Sequence, residues 1–474
     1  MPSLGFRGLF KMTFFRHLTA FTGVGVGGGS LTYGNTLPHP PDAFFQSPAW
    51  AHLGDWKEEL APHYDEARRM LGVDRQPVET LSDRILREIA VDLGREDHFE
   101  FNPVSVYFGE PKVTVPDPYF DGQGPTRTGC RFCGACFTGC RYESKNTLDY
   151  NYLYLAERLG VRIQPDTLVK AIRPRREGGY QVEASLRRGW LRHAKLGFTA
   201  DRVVLAGGAM GTVDLLLQMK VDPEGLPALS DQVGEKILSN HEALIGAETP
   251  RGDLDMTEGI AITSILQTDD VSHVEPFRYG SGSGFFRLLI APHATGDNIF
   301  TRLVSAARNF LRHPLRWLRV LLQPNWARHT LLLLYMRAYD STLTIFRRRS
   351  PLTFFAKGLH TRLSGGDAPK ASMPEATDLA ERAAEKIDGV TGSLIQETLF
   401  NIPSTAHFLG GCSIGTSSED GVIDIEHRVF GYDGLYVCDG SAMTANPGVN
   451  PSLTITAMTE RAMSLIPAKA GRTD

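Results

Sequence analysis

A chain of 474 residues, 42% hydrophobic and 22% charged, is long enough to bury a large core in two or three domains. A net charge of −4 excludes a globally basic nucleic-acid binder. The 48 glycines, many of them in short clusters, favour an α/β protein with tight cofactor-binding turns over an all-helical one.

The first twenty residues carry Arg7, Lys11 and Arg16 through their apolar stretch, so no signal peptide is expected. No apolar run reaches the roughly 18 residues of a membrane-spanning helix. Residues 23–35, GVGVGGGSLTYGN, form a glycine-dense loop with no confident strand before it. Gly23, Gly25 and Gly28 satisfy G-x-G-x-x-G, but Tyr33, Gly34 and Pro38 cannot make the helix a dinucleotide fingerprint must open. A Pro- and Trp-rich connection leads to helices over 56–71 and 80–94.

Four of the six cysteines follow at Cys130, Cys133, Cys136 and Cys140. The spacing is that of a bacterial ferredoxin run, with Arg141 where Pro would stand. Such thiolates wrap an iron–sulfur cluster or zinc, or else form a metal-free packed loop. A helix over Thr147–Leu159 ends at Gly160, and short strands follow at 161–163, 168–173 and 179–186. A buried strand over Val203–Ala206, a turn at Gly207 and Gly208, and a helix over Thr212–Met219 come next.

Strand-like patterns at 255–290 and 331–347 flank a basic insertion, 298–339, and a helix near 375–387 follows. In the insertion Arg302, Arg308, Arg312, Arg316, Arg319, Arg328 and Arg337 interleave with Leu and Trp residues, broken by Pro314 and Pro324. That composition suits an amphipathic surface lying on a membrane, or a solvated flap over a cavity. The C-terminal region pairs HFLGGCSIG (407–415) with a strand at Leu435–Cys438, an Asp439–Gly440–Ser441 turn, and a helix starting near Pro451. Oxidising an alcohol calls for a base and a hydroxyl-holding amide; His407 and Asn450 suit those roles by residue type, although a His and an Asn so far apart are more often structural. Glu275, in HVEPFRYG, is a second acid–base candidate or an ordinary strand glutamate.

HxLGG-C, the strand ending in DGS, and GVNPSLTITAMTERAM resemble the signature of the glucose–methanol–choline (GMC) oxidoreductases, in the form of their cholesterol-oxidase branch. The glycine loop, ADRVVLAGGAMGT and LSDQVGEKILSNHE resemble further parts of the same pattern. The resemblance implies an α/β (α+β overall) protein with an FAD-binding Rossmann-like domain and a substrate domain built on an antiparallel sheet. It divides the chain into an FAD-binding domain (1–36, 147–241 and 396–474), a cysteine-bearing connection (37–146) and a substrate domain (242–395). It implies FAD contacts at Gly27, Gly28, Gly29, Ser30, Asn35, Val169, Ala206, Gly207, Asp439, Gly440, Asn450 and Pro451. It makes His407 and Asn450 the pair at the substrate hydroxyl, with Glu275 beside them. The family's first βαβ unit has no counterpart here, so the FAD-binding domain is expected to be incomplete at its N-terminus.

The expected substrate is a 3-hydroxysteroid or another bulky apolar alcohol, and the expected electron acceptor is oxygen or a redox carrier. An iron–sulfur-linked dehydrogenase of long-chain alcohols or sugars is the alternative enzyme. A fragment needing a partner to bind FAD is the alternative outside catalysis. The expected location is the cytoplasm, docked peripherally at the inner face of the membrane.

Overall fold

The run Thr330–Arg337, TLLLLYMR, is apolar at nearly every position, as a strand covered on both faces must be. In the computed structural model, which describes residues 9–189, 192–338, 341–350, 355–366 and 368–467, it is the centre of a seven-stranded antiparallel sheet. Across the sheet the order is Ile290–Pro292, Val390–Leu394, Ala243–Glu248, Thr330–Arg337, Ser272–Phe277, Ser264–Gln267 and Phe99–Phe101. Residues 1–8, and Tyr339 at the end of the basic insertion, lie outside the described residues.

The two-residue period sorts the central strand's side chains. Leu331, Leu333 and Tyr335 pack against Ile85, Ile89 and Ala380 of the helices Leu81–Asp92 and Pro374–Lys386. Leu332, Leu334 and Met336 face the other way, with Ile262, Phe277 and Trp326. Glu275 is paired in register with Leu334, and His273 with Met336, so both polar side chains share that second face.

Beside the sheet lies a smaller parallel element. Val203–Leu205 pairs with Leu435–Val437, and each strand leads into a helix, Gly208–Lys220 and Ser452–Leu465. The helix Trp56–Met70 packs on the last of these. Tyr64 donates to Thr454 Oγ1 at 3.0 Å, and Arg461 donates to Glu59 at 2.8 Å.

Several boundaries differ from the sequence reading. Residues 161–163 are irregular rather than a strand, because Gly160 (φ 91°) and Pro165 bracket them too closely for pairing. The helix read over Thr147–Leu159 is split into a 3-10 turn, Leu148–Tyr150, and a short helix, Tyr152–Arg158. At the break, Asn151 leaves helical geometry and its side chain caps the second piece. A strand, Thr19–Gly23, does precede the glycine loop, contrary to expectation. The loop then opens only a 3-10 turn, Gly28–Leu31, so it presents no α-helix N-terminus.

Candidate active site

Three chain segments bring the acid–base groups together. His407 sits between the short strands Ser404–Thr405 and Leu409–Gly410, and Asn450 immediately precedes Pro451, the N-cap of the last long helix. Glu275 lies inside the strand Ser272–Phe277. Asn450 Nδ2 donates to Glu275 Oε2 at 3.2 Å, and Asn102 Nδ2 donates to Glu275 Oε1 at 3.0 Å. Burial pushes the Glu275 carboxyl up to about 7, against the lowering effect of these two amides and of His407.

His407 is joined to a residue that sequence reasoning missed. Its Nδ1 lies 2.7 Å from Glu242 Oε1, with side-chain exposures of 11% and 2%. Glu242 also accepts from Thr405 Oγ1 at 2.8 Å and from the Ala406 N–H at 3.1 Å. Asn240 Nδ2 donates to Val449 O at 2.9 Å and lies 3.1 Å from the same ring nitrogen, so the Asn240 side chain packs between His407 and the Asn450 loop. A carboxylate at this distance places the proton on Nδ1 and leaves Nε2 as the acceptor. Burial depresses the imidazolium, but the charge and hydrogen bond of Glu242 outweigh it, so His407 titrates above the ordinary histidine value. His273, on the same sheet face, is driven down to about 3 by burial and by His407, and stays neutral.

The buried amides Asn102, Asn240 and Asn450 each keep a side-chain oxygen without a partner. Such acceptors are costly unless a ligand meets them. Glu242 and Asn240 belong to SNHE (239–242), which sits just ahead of the apolar strand Ala243–Glu248. An acid entering a buried strand was the available signal.

The residues expected at FAD fall at one end of the parallel pair. Ala206 and Gly207 follow the carboxyl end of Val203–Leu205, and Asp439 and Gly440 follow that of Leu435–Val437. Open α/β sheets take ligands at that end. Asp439 accepts from the Ser441 N–H at 2.8 Å and from the Thr212 hydroxyl. Its burial raises the carboxyl above the usual range despite those donors. In the glycine loop, a Cβ on Gly28 or Gly29 would meet nothing within 4 Å, so that side of the backbone is open to a ligand. Gly27 (φ 103°) holds the turn, and Ser30 ties it by donating to Gly27 O at 2.7 Å. Asn35 is fully buried, its side chain against the Cys136 thiol. Open backbone and a buried aspartate fit a flavin nucleotide. Val169 stands apart from this group, half-exposed at a bulge in the strand Thr167–Pro174.

Cys130, Cys133, Cys136 and Cys140 are free and line one cavity of about 250 Å³. Among the described residues, no three His, Cys, Asp or Glu side chains are placed to hold a single metal ion.

The basic insertion is two helices, Ile299–Arg312 and Pro314–Leu322, broken where Pro314 enters, and a 3-10 turn, Trp326–His329; it ends there, since Thr330–Arg337, read as part of it, is the central sheet strand. Not all of it faces outward. Arg302 is buried and donates to the carbonyls of Thr398 (2.7 Å), Glu397 (2.6 Å) and Gly296 (3.0 Å). Trp317 and Trp326 are buried too, and Arg316, Arg328 and Arg337 pair with Asp388, Asp255 and Glu375. What remains outside is Arg308, Arg312 and Arg319 beside exposed Phe300, Leu311, Leu315, Leu318 and Leu322. No helix among the described residues is long and apolar enough to cross a membrane.

Comparison with known proteins gives this geometry a context. Residues 316–459 match the sequence profile described as GMC oxidoreductase. The chain is 44% identical over 487 aligned residues to a cholesterol oxidase of Mycobacterium tuberculosis, covering 100% of this chain and 83% of that protein. It is 39% identical to a cholesterol oxidase of Acinetobacter baumannii, covering 99% and 85%. The pyridoxine 4-oxidase structure from Mesorbium loti has a similar fold, with a TM-score of 0.59 at 13% identity over 98% of this chain and 90% of that one.

Proposed function

The chain belongs to the GMC oxidoreductase family, and we propose that it oxidises the hydroxyl of a 3-hydroxysteroid or another bulky apolar alcohol. The glycine loop, the turn after Val203–Leu205 and the Asp439 turn would hold FAD, which would supply the hydride acceptor. His407 takes the hydroxyl proton on Nε2, because Glu242 holds the other ring nitrogen protonated and the imidazole in place. Asn450, anchored through its Nδ2 to Glu275, presents a free amide oxygen and a second N–H to the same hydroxyl. Glu275, with its carboxyl raised to about 7, can hold or release a proton beside that amide near neutral pH.

The observation that carries the reading is the buried Glu242–His407 pair at 2.7 Å, one loop away from the Asn450–Glu275 pair. The sterol class rests on the relatives' activity; the neighbours of Glu275 on its sheet face, Phe277, Leu332, Leu334 and Met336, are apolar.

The same reading lets the substrate arrive from a lipid surface. Exposed Phe300, Leu311, Leu315, Leu318 and Leu322 with Arg308, Arg312 and Arg319 support peripheral docking on an anionic membrane, at its inner face. Electrons leave to oxygen or to a carrier, and an iron–sulfur cluster on the four cysteines belongs to the carrier form. The test is turnover of a 3β-hydroxysteroid against a long-chain primary alcohol, with the ketone or aldehyde product identified. Steroid ketone as the favoured product supports the assignment. Turnover of only the primary alcohol refutes the sterol class.

A further inference from the structure

We propose that Cys130, Cys133, Cys136 and Cys140 ligate a [4Fe–4S] cluster in the cavity that all four line. The proposal rests on reading the chain as a flavin oxidoreductase, and deepens it by giving the molecule a second redox centre. Three observations carry it. First, the cavity has the wrong size for one ion and the right size for a cluster. Its volume of about 250 Å³ is several times the roughly 30 Å³ that one water occupies in the liquid. Single-ion sites draw their ligands to within about 2.3 Å of one point, and these thiols do not converge that way. A four-iron, four-sulfide body instead meets one thiolate at each iron corner.

Second, the loop is shaped around the sulfurs. Phe132 (φ 53°), Gly134 (φ 66°) and Gly139 (φ 92°) turn the backbone three times within the motif. A Cβ on Gly134 would lie 2.5 Å from Thr257 O, so only glycine lets the loop close onto its neighbour. The Phe132 N–H donates to Cys130 Sγ at 3.4 Å, a bond that stabilises a thiolate more than a thiol. Disulfide pairing is not the purpose, since all four thiols are free.

Third, the walls carry the opposite charge. Arg131, Arg141 and Lys145 line the cavity, and no carboxylate does, in a chain whose net charge is negative. A cluster bound by four thiolates is anionic and gains from cations so placed. Lys145 also joins the cavity to the flavin side. Fully buried, it donates to Cys136 O (3.0 Å), Tyr33 O (3.0 Å) and Leu31 O (3.1 Å), and Leu31 closes the glycine-loop turn. Cys133, by contrast, is exposed, so the site has one side toward the flavin loop and one toward solvent.

On binding, each thiol gives its proton to solvent as its sulfur forms one bond to iron. The experiment reconstitutes the full chain anaerobically with ferric and ferrous iron in equal amounts and sulfide, then measures iron, acid-labile sulfide, zinc and flavin per chain. An electron paramagnetic resonance spectrum is recorded after dithionite reduction. The expected result is about four irons and four sulfides per chain with a reduced-cluster signal. Cys133→Ser and Cys140→Ser should lose most of the iron and the signal while keeping a cooperative thermal transition. Folded protein without iron, protein holding about one zinc instead, or iron content unchanged in both variants would each overturn the proposal. Flavin that an alcohol still bleaches in iron-free protein leaves the oxidoreductase reading standing and removes only the cluster. Iron at full content with flavin that no alcohol bleaches does the reverse.

Discussion

Replacing Glu242 with Gln keeps the size and shape of the His407 partner and removes its charge. In the native site a carboxylate 2% exposed accepts from His407 Nδ1 at 2.7 Å. Hydrogen bonds to charged groups contribute about 1.5–3 kcal/mol, against about 0.5–1.5 kcal/mol for neutral pairs. The substitution should therefore cost about 1–2 kcal/mol of transition-state stabilisation, because His407 becomes cationic as it takes the proton. That is a loss of roughly 5–30-fold in kcat/KM at the pH plateau. The charge of Glu242 is also what raises the imidazole above its ordinary value against burial. Without it burial prevails and the His407 pKa falls. The acidic limb of the kcat/KM profile must then move to lower pH. Anaerobic stopped-flow reduction of the flavin across pH 5–9 reads both effects at once. A lower plateau with an unmoved acidic limb would refute the reasoning, since it would show that Glu242 does not set the titration of the base.

Three further variants test Glu275, Arg302 and the exposed face of the basic insertion. Burial raises Glu275 to about 7, so between 4.5 and that value the folded state holds a proton the unfolded chain has lost, and stability falls as pH rises through this window. In Glu275→Gln that contribution is gone, so its Tm relative to the parent should climb from pH 4.5 to pH 8 and then level off; a constant difference would contradict the assignment. Arg302→Met strands the carbonyls of Gly296, Glu397 and Thr398 in a buried site and should cost about 3 kcal/mol or more in urea unfolding; a loss below about 0.5 kcal/mol would mean the guanidinium is dispensable. Leu315→Asp with Leu318→Asp removes two exposed apolar anchors, worth about 1.5–3 kcal/mol each if buried in lipid. Binding to anionic vesicles should fall at least about tenfold by sedimentation, and unchanged binding would place the membrane contact elsewhere or nowhere.

The chemistry was more legible in the sequence than the partnerships that tune it. His407 and Asn450 stand in segments whose glycines, strand and proline-initiated helix are local features, and Glu275 sits in a strand that reads as a strand. Glu242 and Asn240 escaped because their roles depend on contacts with residues 163 to 209 positions away, at 405–407 and 449. Arg302 was read with the surface arginines, since composition cannot tell which turn of an amphipathic helix meets a neighbour's open carbonyls. The strand His193–Ala200 was missed for a related reason. Its residues are mostly exposed, and its order comes from an eight-residue antiparallel register with Tyr180–Arg187 rather than from an apolar face. The cysteine motif announced itself by spacing, with Arg131 and Arg141 beside it, but the place of Lys145 on the cavity wall became visible only once the loop closed.

The central claim is that His407 is the base that starts alcohol oxidation at the flavin. Anaerobic mixing of the FAD-loaded chain with a 3-hydroxysteroid, for the parent and for His407→Ala, measures that step with no external acceptor involved. The account predicts bleaching of the flavin with formation of the ketone in the parent, slowed about 10²–10⁴-fold in the variant at equal flavin content. Equal bleaching rates in the two proteins would contradict it.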